Sequence, residues 1–111
     1  MTSYLSLKAK GDDEWHTAKL PDFAASRRVL LSILEFGGKM AIRKGAAQLA
    51  PGILAIDADA LGATIEMAEG YTKLLTLSPD TREFYHDLGW LECQISIDPP
   101  ANTTLGGVDD L

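Results

Sequence analysis

Leu91-Glu92-Cys93-Gln94-Ile95-Ser96-Ile97-Asp98 alternates apolar and polar residues without a break. Leu91, Cys93, Ile95 and Ile97 fall on one side of an extended chain, and Glu92, Gln94, Ser96 and Asp98 on the other. That is the period of a strand with one face buried. Pro99-Pro100 ends it. A second alternation lies far away in the chain, with Leu5, Leu7 and Ala9 set against Ser6, Lys8 and Lys10. Pairing of these two strands with each other would be consistent with the strong alternation in both. The expected class is α+β: a small antiparallel or mixed sheet including the N- and C-terminal strands, with two or three helices packed on one face. Residues 1–98 are expected to form one domain, and residues 99–111 a tail ordered by a neighbour or partner.

Gly11 to Glu14 reads as a polar turn, and Trp15 to Leu20 as a return strand stopped by Pro21. Asp22 is placed to cap a helix from Phe23 to Phe36, with Gly37-Gly38 closing it. Phe23, Leu30, Ile33 and Leu34 share its buried side. Arg28 points away, and Arg27 lies near the edge with its stem on apolar surface. Met40 and Ile42 alternate like a strand. Gly45 to Pro51 has room for one helical turn, and Ile53 to Ile56 reads as a short buried stretch. A second helix starts near Asp57. Leu61, Ile65, Ala68, Tyr71 and Leu75 keep helical spacing and carry it through Gly70 to Leu77, with a Glu69–Lys73 pair in support. The competing expectation is a strand over 71–77. Ser78-Pro79-Asp80 predicts a third helix, ending at Leu88-Gly89, from which Trp90 folds back toward Tyr85.

The net charge of −6 is unevenly spread. Residues 1–44 carry eight Lys/Arg and five Asp/Glu, whereas residues 45–111 carry two and eleven. Such a dipolar surface suits self-association or a protein partner, and the excess acid argues against direct binding of nucleic acid. Apolar runs reach only about four residues, far short of a membrane span. A single cysteine, and an N-terminus without a basic-then-apolar pattern, favour a reducing, cytoplasmic setting.

Few residues suggest chemistry. Asp57, Asp59 and Gly62 match the first, third and sixth places of a calcium loop, but Leu61 and Ala68 stand where oxygen ligands belong. A helix N-terminus explains the stretch better. Glu83 and His86 have the spacing of two metal ligands on one helical face, a pattern that di-metal bundles need twice and that occurs here once. Cys93, on the apolar side of its strand, reads as a buried small hydrophobe. Gly37-Gly38 follows a helix, whereas phosphate loops precede one. Trp15 is a candidate interface anchor or a core residue of the first hairpin. With no cofactor expected, the functional expectation is a non-enzymatic assembly protein: a subunit, adaptor or structural component of a larger complex, a viral particle included. Its interaction candidates are Trp15, Arg27, Arg28, Lys39, Arg43, Lys44, Glu66 and Glu69. The alternatives are an acidic inhibitor mimicking nucleic acid, through Glu66, Glu69, Glu83 and Asp87, and a small metal-handling protein or enzyme around Glu83 and His86.

Overall fold

The computed structural model describes residues 2–47 and 58–106. The elements in order are β1 (Ser3–Ala9), β2 (Trp15–Leu20), α1 (Phe23–Ala47), α2 (Ala58–Leu75), β3 (Phe84–Asp87), β4 (Leu91–Ser96) and β5 (Thr103–Gly106). They form the expected α+β fold, a five-stranded mixed sheet in the order β3-β4-β1-β2-β5 with two helices. β1 pairs antiparallel with β2 on one side and with β4 on the other. β3 runs antiparallel to β4, and β5 runs parallel to β2. Residues 103–106 of the expected tail are thus held by the chain's own β2, and residues 107–111 lie outside the described residues.

Register makes the two alternations meet. Leu5 stands opposite Ile95 and Leu7 opposite Cys93, so the apolar sides of β1 and β4 form one surface. Both helices cover it. Asp22 caps α1 as expected, its Oδ1 accepting the Ala25 N–H at 2.8 Å. Leu30 and Leu34 are buried, Phe23 and Ile33 pack at the margin, and Arg28 is exposed. Ser26 donates to Ser3 Oγ at 2.8 Å, satisfying a hydroxyl that burial would otherwise penalise. α2 packs along α1 and touches the sheet where Gly70 meets His86.

Three expectations are corrected. α1 does not stop at Gly37-Gly38; it runs to Ala47 and absorbs the strand-like Met40 and Ile42. Gly37 lies where α2 crosses: a Cβ there would come within 2.9 Å of the Met67 thioether. α2 runs through Gly70 as the helical spacing predicts, ending at Leu75, and it begins at Ala58, so nearly all of the would-be calcium loop is helix. Asp57 lies outside the described residues, as do Ile53 to Ile56. The predicted third helix is absent. Ser78 to Thr81 instead form a β-turn closed by Thr81 N–H on the Ser78 carbonyl at 3.0 Å, with Pro79 at the second position. Arg82 donates to the Pro79 and Thr81 carbonyls, and the chain then extends into β3. Gly89 does take the left-handed conformation, φ 88°, but in the two-residue hairpin turn to β4.

Gly37 and Gly70 generate opposite expectations. Alanine at either gains about 1 kcal/mol of helix propensity. At Gly37 the obstacle is the flexible end of Met67, whereas at Gly70 it is the His86 ring, 2.9 Å from the added atom. In urea unfolding, Gly37→Ala should stay within about 0.5 kcal/mol of the parent, and Gly70→Ala should lose about 1–3 kcal/mol.

Candidate functional site

The sheet face away from the described helices carries a row of interacting side chains across four strands. Register places Lys8 of β1 beside Glu92 of β4. The Lys8 ammonium lies 3.1 Å from Glu92 Oε2 and 5.1 Å from the centre of the Trp15 ring on β2. Tyr85 of β3 donates its hydroxyl to Glu92 Oε1 at 2.6 Å. The order Tyr85, Glu92, Lys8, Trp15 is a donor, an anion, a cation and an aromatic face, each matched to its neighbour.

A second row lies beside it. Ser6 and Thr17 are buried, and their hydroxyls are 2.8 Å apart. Thr17 in turn bonds Thr103 of β5. Thr103 spends its proton on the Trp15 carbonyl at 3.0 Å. Thr17 must therefore donate to Thr103, and Ser6 to Thr17. This directed chain of hydroxyls stitches three strands.

The first row sets two ionisations. The Tyr85 hydroxyl bond, and then the bond from Lys8, hold Glu92 below the usual carboxylate range. The same bond to Glu92, aided by desolvation, pushes Tyr85 up to about 12. The signs follow by linkage. Glu92 contributes stability above its unfolded value, and that contribution is lost as pH falls through its lowered folded value. Tyr85 contributes below an ordinary value near 10, and that contribution is lost as pH rises toward about 12.

The sequence candidates fall in different places. Trp15 is half-buried at the sheet face, its ring under Lys8, and its backbone N–H donates to the Asn102 carbonyl. Arg27 donates to the Leu75 carbonyl at 3.1 Å, and Arg28 is exposed. Lys39, Arg43 and Lys44 belong to α1, but their side chains lie outside the described residues. Glu66 and Glu69 lie on α2. The Glu66 carbonyl is 3.3 Å from His86 Nε2, and its carboxylate is 4.0 Å from the same atom.

Glu83 and His86 are not on a shared helical face. They lie just before and within β3, where residues three apart point to opposite sides. Among the described residues no group of three His, Cys, Asp or Glu is arranged to hold a metal ion. Cys93 is fully buried, and burial pushes its thiol up to about 11. His86 stands opposite it in register, but a protonated thiol in the core is a poor nucleophile. Lys8, Tyr85 and Glu92 went unread as a group, because their meeting depends on the register of three strands.

Two measurements check these assignments. The tyrosinate absorbance of the protein should rise in a late step near pH 12, and Tyr85→Phe should remove that step. A disulfide thiol reagent at neutral pH should modify Cys93 only at the rate of unfolding, and at once in denaturant.

Comparison with protein-family models, curated proteins and solved structures finds no match to the chain.

Proposed function

We propose that the chain is a small assembly protein whose helical hairpin packs against that of a second copy. The observation that supports this is the double apolar face of α2. Met67, Gly70 and Leu74 are buried against the fold. At 100° per residue Ile65 lies nearly opposite them and Ala68 and Leu75 about a third of a turn round the helix, and all three are exposed. Phe36 on α1 is 67% exposed. A helix apolar on two sides has more to bury than its own domain covers.

The hairpin also has the reach. α1 spans about 37 Å for its 25 residues. The seven-residue β1 spans about 23 Å, and five strands about 19 Å across. Helix α1 therefore exceeds the sheet in either direction.

Charge favours a copy of the same chain as the occupant. α1 holds Arg27, Arg28, Lys39, Arg43 and Lys44 against Glu35, and α2 holds Asp59, Glu66 and Glu69 against Lys73. A two-fold axis sets the basic helix of one copy on the acidic helix of the other, and does so twice.

Light scattering after size exclusion tests this. The expected result is a dimer or larger species at low salt whose mass falls as salt is raised. Phe36→Glu and Ile65→Glu, each with unchanged helix content, should give monomers. A natural protein that is monomeric at both salts overturns the reading.

A further inference from the structure

We propose that the cleft between the start of α1 and the 77–82 turn binds a small organic oxyanion, a carboxylate or a phosphate on a short apolar body. The cleft has a volume of about 540 Å³, within the range of small-ligand sites. Two guanidinium groups line it, Arg27 from α1 and Arg82 from the turn. Arg27 donates one Nη2–H to the Leu75 carbonyl, while its Nε is buried with no hydrogen-bond partner. Burial of an unmet donor on a cation is costly, and it leaves the Nη groups of Arg27 as the ones placed to meet a ligand. Arg82 uses Nη1 on the Pro79 and Thr81 carbonyls, which fixes the plane of its guanidinium and leaves its other N–H groups uncommitted. Among the described residues neither arginine has a carboxylate partner within ion-pair distance.

Two hydroxyls add donors. Ser3 Oγ accepts from Ser26 at 2.8 Å, and Ser78 Oγ accepts from the Asp80 N–H at 3.5 Å, so each keeps its own proton to give. Phe23 and Leu77 supply apolar wall. The end of α1 is not itself the site, because Asp22 already caps it. Asp22 leaves the cleft with two cations against one anion, a balance that admits one anionic head group and disfavours cations. Arginine forks suit planar carboxylate and tetrahedral phosphate alike. The two sources are therefore separated by experiment.

Titration of the ¹⁵N-labelled protein with benzoate and with phenyl phosphate, at matched ionic strength, tests the site. Benzyl alcohol serves as the uncharged control. The expected result is a saturable shift of the Arg27 Nε–H resonance with at least one anion and none with the alcohol. Saturation by phenyl phosphate alone identifies the head group as phosphate, and by benzoate alone as carboxylate. Arg82→Gln, an exposed residue bonded only within its own turn, should weaken binding about tenfold or more. Arg27→Gln should do the same while keeping the dispersion of the folded spectrum. The proposal is overturned if neither anion gives a saturable shift, if the alcohol shifts the same resonance, or if Arg82→Gln leaves the titration unchanged.

Discussion

Everything in this fold depends on β1 pairing with β4. Six residue pairs, from Tyr4–Ser96 to Ala9–Leu91, join segments almost ninety residues apart. Closing a loop of that length costs only a little more than closing one half as long. What repays it is the superposition of two alternating patterns. A slip of one residue would turn Leu5 and Leu7 to the open face and set Lys8 among Leu30, Leu34 and Ile95. The same register that buries Cys93 and Ile95 sets Lys8 on Glu92, and so organises the open face as well. Core and surface are two sides of one constraint.

The parts of the fold that could be read in advance are those where a period was long and unopposed. β1, β4, the Asp22 cap and the run of α2 through Gly70 all belong to that class. Residues 78–88 failed because Ser-Pro-Asp has the same chemistry at a helix start and at a β-turn. The period-two order of Phe84, His86 and Leu88 on one side and Tyr85 and Asp87 on the other settles it as extended chain. Gly37 failed for a different reason. A glycine pair after an apolar run marks a stop unless a second helix needs the space, and only the Met67 contact reveals that need. The open-face row and the arginine cleft were equally hidden. Each joins residues from elements whose adjacency no local pattern encodes.

The two faces of α2 illustrate how a single period can mislead. Ile65, Ala68, Tyr71 and Leu75 keep the helical spacing that defines the helix, but the fold buries the side made by Met67, Gly70 and Leu74, with Tyr71 at its margin and the other three exposed. Periodicity establishes that a helix exists. Which of two apolar sides faces inward is decided by shape, here by the bare backbone of Gly70 against the His86 ring. The described helices, for all their length, include none long and apolar enough to cross a membrane.

The central place of β1 also bears on how the chain acquires its structure during synthesis. β1 emerges first, yet until residues 91–96 have been made it can have only β2 beside it. A nascent chain on the ribosome thus carries a two-stranded ribbon with a vacant, hydrogen-bond-hungry border and an unroofed row of leucines. Such a ribbon is marginal alone, and the helices made next can shelter its apolar side but not that border. The sheet can therefore be completed only after residues 91–96 have been made. The interval before then is when the chain is most open to a chaperone, or to a neighbouring chain at the same stage.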